Sequence, residues 1–349
     1  MKVLKQVLGV DVAQKELVVT LGRMNEDLSI DLYFYRVFRN KDTGFIALIK
    51  WLEKHAIENV KVQVVMEATG VYHQKFAYYL YELGHDLCIV LPNKISNYMR
   101  TLGNKTINDK TCSEAIARFG LERKLDTWTK PHSSYKTLQQ LVREREQIVS
   151  ERSAVKNQLH AENTEAEPNQ NSLKRLKARI KFLNGQEKEI KSDISKCIEK
   201  DEALGSEIQN ICTIPGVGEL TAVTVLAETN GFELIRNKKQ LASYAGLDVI
   251  EKTSGTSIKG KTRISKKGNR NLRKAMHLPA LTAIKHVDVY RELYARLVSK
   301  NGIKMKGVVA VQRKMLELIY VVHKNKTVFE QDYEIKKRER LKVIATLSN

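Results

Sequence analysis

Three β-rich runs crowd into the first 39 residues, Leu4 to Val12, Glu16 to Gly22 and Ile30 to Arg39, with gaps too short for anything but turns. Strands joined so tightly run antiparallel, because a parallel return needs a crossover of a dozen or more residues. The third run, IDLYFYRVFR, alternates apolar and polar side chains as a half-buried strand does. Asp42 then reads as the N-cap of a helix reaching about Lys54, with Phe45, Ile46, Leu48, Ile49 and Leu52 on its apolar face. Val60 to Met66 is a fourth strand, Val71 to Leu83 a second helix, and Leu87 to Leu91 a buried fifth strand ahead of a further helix.

That order, βββαβαβα, is the connectivity of an RNase H-like nuclease core; the pattern also allows an actin-like nucleotide-binding half. Asp11 falls at the end of the first strand, within GVDVAQKE, and Glu67 follows the fourth, within VVMEATGVYH. Adjacent strand ends bring two such carboxylates within reach of one cation, and Asp109, in NKTINDKTCSEAIARFG, is placed to add a third from the following helix. Hard divalent ions such as Mg²⁺ or Mn²⁺ favour oxygen ligands, and a pair of them can activate an attacking oxygen and stabilise a leaving one.

Charge is distributed unevenly. The formal net charge is +20, yet residues 251–349 hold 24 basic and 8 acidic side chains while 131–250 hold 17 of each. The density peaks between Ile250 and Lys274, where Lys252, Lys259, Lys261, Arg263, Lys266, Lys267, Arg270, Arg273 and Lys274 face a single acid, Glu251. Such a segment repels itself unless an anion is near, which points to a phosphodiester backbone. Cys88, Cys112, Cys197 and Cys212 form no CxxC pair and no zinc-finger spacing, so free thiols in a reducing compartment are expected. The sequence contains no apolar run near the roughly 20 residues of a membrane span and no signal peptide, and a cytoplasmic location is expected.

The expected domains are 1–130, 131–207, 208–330 and a basic tail, 331–349. In the middle, Ser133 or Ser134 can cap a long helix in which Leu141, Ile148 and Val155 recur at sevens, with Leu138 and Leu159 on a second row interrupted by Arg145 and Arg152. After NTEAEPNQN a cleaner heptad follows, Leu176, Leu183, Ile190, Cys197 and Leu204, with Ile180, Ile194 and Ile208 beside it. Two such helices around one turn predict an antiparallel coiled-coil hairpin. The third part is mainly α-helical. Within TIPGVGELTAVTVLAE, Gly216 and Gly218 form a helix-hairpin-helix pattern, in which glycines admit a phosphate close to the backbone. KQLASYAGL predicts a helix ended by Gly246, a second starts at Gly268 and Asn269 and runs from Leu272 to about Ile284, and a third covers Gly307 to His323.

These motifs, in this order, resemble those of the DEDD-type insertion-sequence transposases, bridge-RNA-guided recombinases that join a RuvC-like nuclease domain to a serine-bearing transposase domain. GVD, VVMEATG and NDKTCSEAIARFG match the first domain; IPGVG, QLASYAGL, the SG of Ser254, ISKKGNRNLRKA and AVQRKMLELIY match the second. The resemblance spans nearly all of residues 5–325. One departure stands out: the family has a second aspartate one turn after the first in its third motif, and here that place is held by Cys112, a soft and poor Mg²⁺ ligand. Glu114 lies about 140° round the helix from Asp109 and substitutes badly.

The resemblance implies that Ser254, with Ser257 and Ser265 as alternatives, is a nucleophile that attacks a DNA phosphate to form a 5′-phosphoserine link. It implies that Asp11, Glu67 and Asp109 hold the metal, and that the nuclease domain of one copy completes the site over the serine of another in a dimer to tetramer. It also implies that a bridge RNA pairs with target and donor DNA. Gly216, Gly218, Lys259, Lys261, Arg263, Lys266, Lys267, Arg270 and Arg273 are the expected nucleic-acid contacts. Two other classes fit the same residues: a metal-dependent DNA junction nuclease in which Ser254 only turns the chain, and a non-enzymatic nucleic-acid-binding protein.

Overall fold

The computed structural model describes residues 2–330 except 69, 104–105, 234, 252, 255–257 and 261, and leaves the side chains of 253, 254, 258, 259 and 301 undescribed. The expected basic tail, 331–349, lies outside the described residues. The chain divides into two compact units, 1–130 and 131–349.

The first unit is built on β1 (Val3–Val12), β2 (Glu16–Asn25) and β3 (Ile30–Arg39), followed by α1 (Asp42–His55), β4 (Val62–Glu67), α2 (Gln74–Glu82), β5 (Asp86–Val90), α3 (Pro92–Met99) and α4 (Asp109–Glu122). The sheet order is β3-β2-β1-β4-β5. β1, β2 and β3 pair antiparallel, whereas β4 lies parallel to β1 and to β5. This is the mixed sheet of an RNase H-like core. Successive side chains of a strand point to opposite faces, and each face has its own apolar cluster. Leu8, Val10, Val12, Leu17, Val19 and Leu21 meet Phe45, Leu48 and Phe76 of α1 and α2 on one side. Val7, Val65, Cys88 and Val90 meet Ile95, Ile116 and Phe119 of α3 and α4 on the other.

Asp42 is not the cap expected of it. Lys41 occupies the N-cap position without a side-chain hydrogen bond, and Asp42 is the first helical residue, an acid in the first turn. α1 also packs closely on the end of β3: the backbone oxygen of Arg39 sits where any Cβ on Gly44 would lie.

The second unit opens with α5 (Ser133–Thr164) and α6 (Gln170–Glu199), then α7 (Glu202–Cys212), α8 (Glu219–Thr229) and α9 (Lys238–Ala245). Short strands β6 (Val249–Ile250), β7 (Thr253–Ser254), β8 (Ile258–Lys259) and β9 (Arg263–Ile264) precede α10 (Arg270–Ala275), α11 (His277–His286), α12 (Asp288–Asn301) and α13 (Lys304–Asn325). Two expectations are corrected here. The heptad run does not continue through Leu204: α6 stops at Glu199, and Asp201 caps α7 by accepting a 3.1 Å bond from the Leu204 N–H. The helix expected from Leu272 to Ile284 is two helices, α10 and α11, parted at Met276.

α5 and α6 form an antiparallel hairpin around the 165–169 turn. Ser133 does not cap α5; His132 holds that position, and Ser134 donates instead to Asp201 at 2.8 Å. The two arginines that interrupt the apolar rows of α5 have a partner on α6. Arg145 donates to Glu187 at 2.8 Å, Arg152 donates to the same carboxylate, and Lys191 lies 3.3 Å from it. Glu187 is buried at 7% exposure, so the interior of the hairpin is apolar at Leu138, Ile148, Val155, Leu183 and Ile190 but ionic at this one level.

Candidate active site

The last registered pair between the parallel strands β1 and β4 is Val10 with Met66. The next residues are Asp11 and Glu67, so the two carboxylates stand side by side where both strands end. Asp11 shares a face with Gly9 and Val7, the face that α4 covers. α4 comes unusually close there: a Cβ on Gly9 would lie 2.5 Å from the Ser113 oxygen and 2.8 Å from the Ala117 Cα. A Cβ on Gly120 would lie 2.8 Å from Val7 and Val65. Two glycines, one on each element, thus lay α4 directly on the sheet. Its first residue is Asp109, and Asn108 fixes that start with a capping box, accepting a 2.9 Å bond from the Thr111 N–H while Thr111 Oγ1 accepts one of 3.0 Å from the Asn108 N–H.

The electrostatics show that these acids feel one another. Asp11 is pushed up to about 6, first by burial, then by the charges of Glu67 and Asp109, against a stabilising hydrogen bond from the Val12 backbone. Cys112 is pushed up to about 11 by burial and then by the same three carboxylates, which places its thiol in their shared field. Its sulfur lies 4.0 Å from that of Met99. Among the described residues, no three His, Cys, Asp or Glu side chains stand at the mutual spacing of a closed metal-ligand set. The chemistry of these side chains suits a hard dication: Asp11 and Glu67 are oxygen donors at one sheet end, and the repulsion between them and Asp109 is of the kind a positive ion relieves.

In the second unit, a turn carrying Gly216 and Gly218 links α7 to α8. Gly216 adopts φ +89 and its missing Cβ would lie 2.9 Å from the Pro279 oxygen, so this glycine serves a turn and a close approach to α11. Gly218 is exposed, has open space where a Cβ would stand, and begins α8 without a side-chain cap. Ser254 pairs through its backbone with Ile258, and Thr253 with Lys259. The hydroxyl of Ser254, the Lys259 side chain, Ser257 and Lys261 lie outside the described residues. Ser265 donates to Asp248 at 2.5 Å, which ties its hydroxyl to the β6–β9 pair. Arg263, Lys266, Lys267 and Arg270 are exposed. Arg273 is half-buried and donates to the backbone oxygens of Ala245 at 2.7 Å and Gly268 at 3.2 Å, so it closes the end of α9.

Two family profiles match this chain: one described as Transposase, of the DEDD IS110 type, over residues 8–165, and one described as Transposase IS116/IS110/IS902 family over 208–295. The chain carries the transposase domains of the IS110 family. The pilin gene-inverting protein of Moraxella lacunata is 27% identical over 296 residues, covering 84% of this chain and 90% of that protein. The transposase for insertion sequence element IS1111A of Coxiella burnetii is 24% identical over 346 residues, covering 91% and 89%. The structure of T. thermophilus RuvC in complex with a Holliday junction substrate overlaps 33% of this chain and 97% of its own at 14% identity, with a TM-score of 0.24. With these relatives, the protein is a DNA-recombining enzyme. Among its described residues, no helix is long and apolar enough to cross a membrane.

Asp11, Glu67 and Asp109 of the transposase fall within the first matched segment and Ser254 within the second. Not among the expected site residues is the group that holds the end of the basic segment, the fully buried carboxylate of Glu228 on α8. It accepts 2.7 Å bonds from Asn269 and Asn271 and two 2.8 Å bonds from Arg143, and although burial favours its neutral form, these donors hold it below the usual carboxylate range. A glutamate within an otherwise apolar helix, TAVTVLAE, was the available signal.

Proposed function

We propose that this transposase cuts and rejoins DNA through a covalent serine intermediate. The Ser254 Oγ–phosphorus bond forms as the bond from phosphorus to the 3′ oxygen breaks; the serine proton passes to water, and the departing 3′ oxygen takes one proton from water to leave as a hydroxyl. In the return step a 3′-hydroxyl of a second strand attacks the phosphoserine and releases Ser254, so the ester conserves the energy of the bond and no nucleotide triphosphate is needed. The reading is supported by Asp11 and Glu67 side by side at the end of two parallel strands, with Asp109 near enough to raise the Asp11 pKa, within a chain whose second matched segment contains Ser254.

Asp11, Glu67 and Asp109 would hold the divalent metal. A bound Mg²⁺ or Mn²⁺ neutralises phosphate charge and eases deprotonation of an attacking oxygen. Gly218 at the open start of α8, in a helix-hairpin-helix, and the exposed Arg263, Lys266, Lys267 and Arg270 bind phosphates, with Lys259 and Lys261 as further contacts. The α5–α6 hairpin acts as a coiled-coil arm between copies in a dimer or tetramer. A structured bridge RNA selects the target and donor sites.

The deciding experiment combines the protein with RNA transcribed from the flanking element, nicked DNA carrying the target and donor sites, and Mg²⁺, with adducts resolved on a denaturing gel. Wild-type protein yields a protein–DNA adduct and Ser254→Ala yields none. Hydrolytic nicking that survives in Ser254→Ala at the wild-type rate assigns the protein instead to the junction nucleases.

A further inference from the structure

Strand β3 is the outer edge of the first unit's sheet. Its α4-side face carries two exposed apolar side chains, Tyr35 at 44% and Val37 at 41%. Both stand beside the acids. Asp11 pairs with Val18, Val18 pairs with Val37, and Thr20 pairs with Tyr35. Antiparallel partners share a face, so Asp11, Val18 and Val37 form one row across the sheet, and two strand spacings separate its ends by about 10 Å.

The surroundings of Tyr35 are cationic. The Lys110 ammonium lies 5.4 Å from the ring centroid, and Lys110 directly follows Asp109 in α4. Lys110 is 56% exposed and also reaches Glu114 at 3.9 Å. Arg39 is exposed two residues beyond Val37 on the same face, and Lys15 and Lys41 are exposed at the same end of the sheet. Phe34, of similar exposure but on the opposite face, sets its ring edge-on to His55 at 4.4 Å. Tyr35 is therefore an aromatic ring held out at a basic sheet edge, with a cation on one side of it.

An unpaired nucleotide offers what such a ring takes: a base with a free π-face, and a phosphate for the neighbouring cation. Base pairs inside a duplex have no free face. We propose that Tyr35, with Lys110 beside it, stacks an unpaired base of the DNA strand being processed, two to four nucleotides from the phosphate at Asp11, Glu67 and Asp109. Tyr35 lies two strand spacings across and two residues along from Asp11, about 12 Å, against about 3.4 Å per nucleotide along a stacked strand. The placement rests on the reading of those acids as the phosphate-processing site; the stacking itself does not. Tyr35 thereby favours strands already opened at the site of exchange.

The test measures binding without cleavage, in EDTA, by fluorescence anisotropy on three probes: a DNA duplex with a short central bubble carrying 2-aminopurine, the same DNA fully paired, and a single-stranded RNA. Tyr35→Ala is expected to weaken bubble binding roughly 5- to 150-fold, to remove the quenching of 2-aminopurine, and to leave duplex binding and the thermal melt unchanged. Tyr35→Phe keeps wild-type behaviour on all probes. Bubble binding unchanged in Tyr35→Ala overturns the proposal, as does an equal loss on bubble and duplex, or dependence on Tyr35 seen with RNA and not with DNA. Loss of cleavage in Mg²⁺ alongside intact, Tyr35-dependent stacking counts against the catalytic reading alone.

Discussion

Arg143 on α5 grips the buried carboxylate of Glu228 on α8 in a two-pronged arrangement, each guanidinium nitrogen donating at 2.8 Å to a different oxygen. Asn269 and Asn271 complete the shell at 2.7 Å, and Asn269 also caps α10 by accepting from the Asn271 and Leu272 N–H groups at 2.9 and 3.1 Å. Tyr244 donates to the Glu228 backbone oxygen at 2.8 Å. One acid thus binds the hairpin, α9 and the start of α10 together, and the exposed Arg270 stands between its two asparagine ligands. Replacing Glu228 by Ala leaves the amides of Asn269 and Asn271 without their acceptor, while the half-exposed Arg143 can turn to water. A loss of about 1 to 3 kcal/mol is expected in denaturant unfolding, with weaker DNA binding at conditions where the protein stays folded.

Glu187 makes stability depend on acid. Burial alone would raise its pKa, but Arg152, Arg145 and Lys191 overcome that and bring it from 4.5 to about 2. A folded pKa below the unfolded one contributes stability that is complete above pH 4.5 and is lost as pH falls toward 2, worth roughly 3 kcal/mol for this shift. Thermal melts by circular dichroism should fall through that window in the wild type. Replacing Arg145, Arg152 and Glu187 together by Leu should flatten the dependence and leave stability at neutral pH equal or higher, since a packed apolar trio has no desolvation cost.

Gly9 sets how closely α4 approaches the acids. Gly9→Ala places a methyl group 2.5 Å from the Ser113 oxygen, and backbone on both sides leaves no flexible atom to yield. A cost of about 1 to 3 kcal/mol is expected, read by denaturant unfolding. Because the displaced helix begins at Asp109, nicking activity should fall further than the fraction unfolded explains.

Cys112 lies in the field of Asp11, Glu67 and Asp109. Cys112→Asp adds a hard oxygen donor and a negative charge at that place, and Mg²⁺ affinity by calorimetry should rise about tenfold or more. In the absence of metal the added charge should lower the melting temperature, because four acids repel more than three. Cys112→Ser, with no charge, should change neither by more than about twofold in affinity.

Much of this architecture was legible before any coordinates. The existence of β3, the apolar face of α13, and Asp11 and Glu67 at strand ends are local patterns, set by side chains within a few residues of one another. The alternation expected in β3 did not become alternating burial, since Phe34, Tyr35 and Val37 are all exposed, and Ile46 lies outside the buried face of α1. The antiparallel pairing of β1, β2 and β3 followed from connection length. The start of α1 was misjudged by one residue: the backbone oxygen of Lys41 accepts from the Gly44 and Phe45 N–H groups, so the cap is made without the side chain that would have marked it. The break after Glu199 was missed because Leu204 and Ile208 keep the apolar period across the Asp201 cap.

The chain's own text determined which elements form and where acidic and basic side chains stand along them, since helix and strand periods and charged residues are written locally. Tertiary structure decided what those residues are free to do. Arg273 looked like a phosphate contact, yet its guanidinium closes α9; Arg145 and Arg152 looked like flaws in a heptad, yet both meet Glu187 across a hairpin. A charge finds its partner through the packing of distant segments, and the burial that makes such a pairing obligatory exists only once the chain has folded.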